Sequence, residues 1–265
     1  MKHAKTLVLI LSIYLATQVL GLYVGSTLIE KIEKNEFVSA VENPESPGTS
    51  AQIFLYVLVM TGFVLLLMKY HLGIIIRIIL VISILVGTGL TFWSLTGNEM
   101  ISAMLTLWVF SLYLLKGKNY QVTNFALFLT ISGFGGWLGA SLAFITALIL
   151  VLILAVYDFI AVFGTKHMVT LAEESKGKYS FMVSAPFDEG ELGLGTGDLA
   201  IPLVFTVSVL RDYSIYSALT TSLGGFLGLA SLIYLITQKK KATLPALPPI
   251  TIGLLLGFGI GYLMI

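Results

Sequence analysis

Cysteine is absent from the 265 residues, and charged residues make up only 11% of them. Without cysteine the chain has no disulfide framework, no thiolate metal site and no cysteine nucleophile. The three histidines, His3, His71 and His167, lie at the edges of apolar segments and form no HExxH zinc motif. The net charge of +1 provides no basic surface for nucleic acid. We therefore expect no metal, no cofactor and no nucleic-acid partner.

What the chain has in abundance is apolar sequence, since 57% of its residues are hydrophobic. A hydrocarbon core about 30 Å thick requires about 20 helical residues, and nine apolar runs of that order follow one another. The sequence therefore predicts an all-α polytopic membrane protein with nine transmembrane helices. The predicted spans are residues 6–28, 51–68, 72–95, 100–115, 122–138, 140–163, 194–210, 213–236 and 247–265. The glycine-rich stretch GFGGWLGA is the predicted break between the fifth and sixth spans.

The distribution of basic residues predicts how these spans cross the membrane. Eleven of the 15 Lys and Arg residues lie at the N-terminus or in the loops after spans 2, 4, 6 and 8, and three lie in the opposite loops. Because Lys and Arg accumulate in cytoplasmic loops, the N-terminus is predicted to be cytoplasmic and the C-terminus external. One integrated membrane domain results, with residues 1–164 holding spans 1 to 6, a cytoplasmic loop at 165–193, and residues 194–265 holding spans 7 to 9.

Two aspartates interrupt the apolar sequence. Asp158 lies near the end of span 6 and Asp198 near the start of span 7. A carboxylate at the centre of a spanning helix costs about 2.5 to 3.5 kcal/mol, so such a residue is a functional candidate. Because the two spans run in opposite directions, both carboxylates are predicted within about 8 Å of the cytoplasmic edge. The sequence therefore predicts that they form a pair.

Two further motifs lie near the same membrane face. Gly195 and Gly197 precede Asp198 and would allow another backbone to approach its carboxylate, although glycine pairs in membrane helices are commonly packing contacts. The segment LPALPPI contains Pro245, Pro248 and Pro249, which remove backbone donors at the start of span 9. It fits either an ordinary helix start or irregular backbone lining a wet cavity.

In chain order these motifs are Tyr157-Asp158, then Gly195-Thr196-Gly197-Asp198, then Pro245-Ala246-Leu247. The ordered triple resembles the presenilin and signal peptide peptidase family of GxGD intramembrane aspartyl proteases. The resemblance covers the nine-span plan and is closest between residues 152 and 250. LPALP and the predicted cytoplasmic N-terminus are more similar to the presenilin branch, and a microbial homologue is expected.

The resemblance implies that Asp158 and Asp198 are the catalytic pair of an aspartic endopeptidase. It also implies that Pro245, Ala246 and Leu247 shape the active site and hold substrate backbone. Thr196 occupies a position thought to influence substrate choice. Tyr157 precedes Asp158 by one position and points to another face of the helix, where a functional role (supporting the site or lining the substrate path) and simple packing are equally open. The expected location is a microbial cell membrane, and the expected partners are transmembrane helical substrates and the lipid bilayer.

The mechanism expected of such a pair needs no covalent intermediate. One carboxylate activates a water as general base, while its protonated partner polarises the peptide carbonyl. An α-helical substrate must unwind first, because its backbone groups are paired in lipid. We expect the unwound stretch to add as a strand, against backbone near 245–247 and residues 179–183.

Other functions are weighed against this one. A proton- or cation-coupled transporter also uses acid pairs near broken helices, but it predicts internal repeats and acids near the midplane. A membrane scaffold without chemistry is the third reading. A serine protease is disfavoured, since Gly139-Ala140-Ser141-Leu142 lacks the glycine expected after the nucleophile. A homo-oligomer and accessory subunits are left open.

Overall fold

A computed structural model describes residues 2–165, 182–187, 190–238 and 244–264. Within these residues the chain forms nine α-helices, one π-helical turn and one two-stranded antiparallel sheet. The helices are α1 Lys2–Glu33, α2 Pro47–Lys69, α3 Gly73–Thr96, α4 Glu99–Lys116, α5 Tyr120–Ser141, α6 Phe144–Ile160, α7 Thr196–Asp212, α8 Ile215–Gln238 and α9 Leu247–Tyr262. The π-helical turn Ala161–Thr165 extends α6, and the strands are β1 Met182–Phe187 and β2 Gly190–Gly195.

Seven of the helices in the described ranges are long and apolar enough to cross a membrane, as expected of a multi-pass membrane protein. Helix α6 reaches this length through its π-helical extension, over Phe144–Phe163. The two helices that fall short are α7, with 17 residues, and α9, with 16. Most of the predicted loop at 165–193 lies outside the described residues, and so do the three lysines at 239–241.

The predicted break between the fifth and sixth spans was wrong. Helix α5 continues through the glycine-rich stretch to Ser141, and the chain turns at Leu142 and Ala143. The start of the seventh span was also wrong, because Leu194 and Gly195 belong to β2 and the helix begins at Thr196. The predicted start of the ninth span at Leu247 agrees with α9.

The glycines of α5 serve close packing instead of a break. The Leu203 side chain of α7 packs directly against two glycines. A Cβ added to Gly135 of α5 would lie 2.6 Å from it, and a Cβ added to Gly21 of α1 would lie 2.3 Å from it. One turn further along, Val207 occupies the same relation to Gly139 and Gly25, at 2.6 and 2.5 Å. Each side of α7 therefore faces a GxxxG pair, in which the absence of side chains lets helices approach closely.

Helices α8 and α9 approach each other even more closely, through backbone. A Cβ on Gly224 would lie 2.1 Å from the Gly253 carbonyl oxygen, and a Cβ on Gly253 would lie 2.1 Å from the Gly224 oxygen. Gly228 faces the Pro249 carbonyl oxygen in the same way, at 2.3 Å. The orientation of α9 is thus determined by glycines on both helices.

The β-hairpin was not among the sequence predictions. Its register pairs Val183 with Leu194 and Ala185 with Leu192, so that β2 leads directly into α7. Val183, Ala185 and Leu194 are buried in the same apolar core as α1, α5 and α7. The segment before α7 is therefore folded against the helices, at least over the strands that the structure describes.

The opposite end of α7 meets the start of α6. Asp212 accepts a hydrogen bond from the Phe144 N–H at 2.6 Å, which caps the first turn of α6. Beside it, the Tyr213 ring lies 5.0 Å from Phe144, 5.0 Å from Phe258 and 5.9 Å from Tyr262. This aromatic cluster holds the start of α6 and the ends of α7 and α9 together.

Candidate active site

Three helix ends meet at the two aspartates. Asp158 lies in the last turn of α6, immediately before the π-helical turn, and Asp198 is the third residue of α7. The first residue of α9, Leu247, lies against Asp158. Backbone groups at helix ends lack intrahelical partners, so they are available to these side chains.

The carboxylate of Asp158 is held by the start of α9. Its Oδ2 accepts a hydrogen bond from the Leu247 N–H at 3.0 Å, and the Ala246 N–H also faces it. Pro248 and Pro249 have no N–H, and the Ile250 N–H bonds the Ala246 carbonyl oxygen at 3.4 Å. The N–H groups of Leu247 and Ala246 are therefore the donors that this helix end presents. Its positive end also favours the negative charge of Asp158.

Asp198 is held by its own motif. The Gly195 backbone faces the Asp198 carboxylate, and a Cβ on Gly195 would lie 3.0 Å from Oδ2. Asp158 and Asp198 are also close enough to interact electrostatically. The structure therefore brings together the two aspartates, Gly195 and Leu247. Both carboxyl groups are half-buried.

The other predicted site residues lie either just before α9 or at the start of α7. Pro245 and Ala246 are buried beside Leu247, in non-helical backbone before α9. Thr196 is the first residue of α7, and a Cβ on Gly197 would meet no atom within 4 Å. Gly197 is thus open and does not make the close backbone approach expected of it.

Tyr157 packs against α2. Its ring meets Phe54 edge-on, with centroids 5.8 Å apart and planes at 76°. This contact favours the packing role, one of the two that the sequence left open.

Sequence reasoning missed Asn124 of α5. It is buried in an apolar helix, and it hydrogen-bonds the backbone of Ser184 in β1. A polar amide in a membrane helix is a signal of the same kind as the two aspartates. No group of three or more His, Asp or Glu close enough to hold a metal ion occurs among the residues that the structure describes.

The family model described as signal-peptide peptidase, presenilin aspartyl protease matches residues 11–265. The chain belongs to this family. It is an intramembrane aspartyl protease, and the family acts on transmembrane helical substrates within the bilayer.

Solved structures agree with the family assignment. A presenilin family intramembrane aspartate protease in a C222 crystal form matches with a TM-score of 0.71 and 24% identity, over 98% of this chain and 99% of that one. A structure of a presenilin family intramembrane aspartate protease in a P2 crystal form matches with a TM-score of 0.63 and 26% identity, over 94% and 97%. No curated protein sequence matches significantly.

Proposed function

We propose that Asp158 and Asp198 are the catalytic pair, and that this family member cleaves peptide bonds within transmembrane segments by activating a water between them. One carboxylate takes a proton from the water, and the protonated partner donates a hydrogen bond to the scissile carbonyl. The attack gives a tetrahedral intermediate, and the proton is then returned to the leaving nitrogen. Because water is the nucleophile, no covalent acyl-enzyme forms.

The observation that carries this proposal is the meeting of the two acids at three helix ends. Each carboxylate faces backbone of a different motif, Leu247 for Asp158 and Gly195 for Asp198. Separate backbone contacts orient the two groups independently, which suits a pair whose members play different roles. Pro245, Ala246 and Leu247 support the site in this proposal, and Gly195, Thr196 and Gly197 line it.

The substrate helix has to open before its carbonyl can be attacked, since its backbone groups are paired in lipid. We infer that the opened segment adds as a strand, which pairs the released groups again. Strand β2 is suited to receive it because β2 runs through Gly195 directly to Asp198. Of the stretch 179–183 expected to serve from the sequence, residues 179–181 lie outside the described ones, and 182–183 belong to β1.

The transporter alternative is disfavoured by family membership, and the scaffold alternative by the same evidence. Within the proposal, all nine helices cross the membrane, with the N-terminus in the cytoplasm and the C-terminus outside. The excess of lysine on one side of the predicted spans supports this orientation. Whether copies of the chain associate, or accessory subunits are needed, does not enter the mechanism.

The test is proteolysis by purified protein in lipid, with a single-span substrate. Asp158→Asn and Asp198→Asn should each abolish cleavage, because the amide can neither take the proton nor supply it. Asp212→Asn is the matched control, since it changes an aspartate of the same helix α7 while its amide oxygen can still cap α6. Equal turnover by Asp158→Asn, Asp198→Asn and the unaltered protein would refute the catalytic assignment.

A further inference from the structure

Asn124 of α5 acts on β1 as a neighbouring strand would. Its side-chain Nδ2 donates to the Ser184 carbonyl oxygen at 2.7 Å, and its Oδ1 accepts from the Ser184 N–H at 3.0 Å. One amide thus satisfies both backbone groups of one strand residue. Asn124 is 5% exposed, and Val183 and Ala185 on either side of Ser184 are 0% and 1% exposed.

The next residue of β1 with outward-facing backbone groups is Pro186, and it too offers no free pairing site to another strand. Backbone groups alternate along an antiparallel strand, so Pro186 faces the same side as Ser184. Pro186 has no N–H, and its carbonyl oxygen accepts a hydrogen bond from the Thr6 hydroxyl of α1. The outer edge of β1 is therefore occupied at Ser184 by α5 and at Pro186 by α1.

The other edge of the sheet, formed by β2, presents backbone groups that could pair with an added strand. The register pairs Ser184 with Gly193 and Pro186 with Glu191. Because both members of such a pair turn their backbone groups away from each other, Glu191 and Gly193 present theirs on the outer edge of β2. Gly193 is exposed. This edge continues through Gly195, whose backbone faces the Asp198 carboxylate.

We propose that Asn124 is a positioning residue that takes the place of a third strand, so that a substrate strand can add only to β2 and only in one register relative to Asp198. Thr6 completes this closure of the β1 edge. The inference rests on the proposed addition of the substrate as a strand. It assigns the choice of sheet edge, and the register of the added strand, to a side chain of α5.

Cross-linking tests which edge of the sheet receives the substrate, and the cysteine-free chain provides a clean background for it. In Asp158→Asn protein, which should bind substrate without cleaving it, Glu191→Cys and Ser184→Cys are each combined with a single-span substrate carrying one cysteine near its cleavage site. We expect a disulfide with the cysteine at position 191 and none at position 184. Adding Asn124→Leu should make position 184 reactive.

The register is tested by proteolysis, with the cleavage sites identified by mass spectrometry. Asn124→Leu removes both hydrogen bonds, and we expect about tenfold slower cleavage and products that differ in length by two residues. Asn124→Asp keeps the acceptor for the Ser184 N–H and should give an intermediate result. Thr130→Val is the matched control, because Thr130 is also buried in α5 but bonds only its own helix, at Ala126.

The outcomes separate the two proposals. If Asn124→Leu cuts at the original sites at the original rate, or position 184 stays unreactive, the role of Asn124 is overturned while strand addition stands. If the cysteine at position 191 never links to a substrate that the unaltered protein cleaves, strand addition to β2 itself fails. Should Asn124→Leu not fold, Thr6→Val opens the same edge at Pro186, and unchanged cleavage sites in that variant and in Asn124→Asp overturn the proposal.

Discussion

Backbone donors at the start of α9 orient the carboxylate of Asp158. The Leu247 N–H donates to it at 3.0 Å, and the Ala246 N–H also faces it. A hydrogen bond to a charged group contributes about 1.5 to 3 kcal/mol, so the loss of the Leu247 donor is large enough to measure in the rate of catalysis.

Leu247→Pro should therefore slow cleavage about ten- to a hundredfold. Proline fits the first position of a helix, but it disfavours the α-region backbone of the preceding Ala246, so the stability of each variant is measured beside its activity. Leu247→Ala keeps the N–H and controls for loss of the buried side chain. The measurement is kcat with a single-span substrate, together with thermal unfolding of each variant. Equal kcat in the two variants would show that the donor has no part in catalysis.

The two glycines of the GxGD motif are expected to respond differently. Gly195→Ala places a Cβ 3.0 Å from Asp198 Oδ2, so the carboxylate has to shift by a few tenths of an ångström, whereas Gly197→Ala meets nothing within 4 Å. Because small displacements of a reacting group are costly, we expect about tenfold lower kcat for Gly195→Ala. For Gly197→Ala we expect a change in KM alone, since its open side faces the space available to substrate. Similar kcat losses in both would contradict this distinction.

At the scale of the helices, α7 is positioned by two GxxxG pairs. Leu203 and Val207 fill the space that Gly21, Gly25, Gly135 and Gly139 leave open. Since α7 carries Asp198 at its other end, a shift of this helix would move the carboxylate as well. Packing at the glycines thus bears on both stability and catalysis.

A double-mutant cycle measures this packing. Gly25→Ala places a Cβ 2.5 Å from Val207 Cγ1, and such overpacking costs about 1–3 kcal/mol. Val207→Ala removes the clashing methyl groups, so the double variant should regain part of the lost stability and activity. Gly62→Ala, with nothing within 4 Å, is the control. Additive losses in thermal unfolding would contradict the proposed contact.

Apolar runs and motifs in the sequence predict the helices and the aspartate pair, because both depend on local residue types. The break after α5 could not be predicted from glycine content, since the same glycines that suit a turn also suit a close helix contact. The hairpin was missed because Gly193 and Gly195 are poor strand formers. Its stability comes from Asn124 and from burial of Val183 and Ala185, which are contacts distant in sequence.

For the whole molecule, the predicted orientation can be tested without background labelling because the chain lacks cysteine. Single cysteines introduced by Glu36→Cys and Met264→Cys should react with a membrane-impermeant maleimide on intact cells. Lys118→Cys and Tyr70→Cys should react only after permeabilisation. Protection of the cysteine at position 264 in intact cells would show that the number of crossings or the orientation differs from the proposal.

The short lengths of α7 and α9 have a consequence for the surrounding lipid. At 1.5 Å per residue they extend about 25 and 24 Å, less than a hydrocarbon core of about 30 Å. The aromatic cluster and the cap at Asp212 hold the C-terminal ends of α7 and α9 at the same depth. The missing helix length therefore lies at their N-terminal ends, beside Asp158 and Asp198. Hydrophobic mismatch there draws headgroups and solvent downward, and hydrolysis should respond to acyl-chain length, running faster in thinner bilayers.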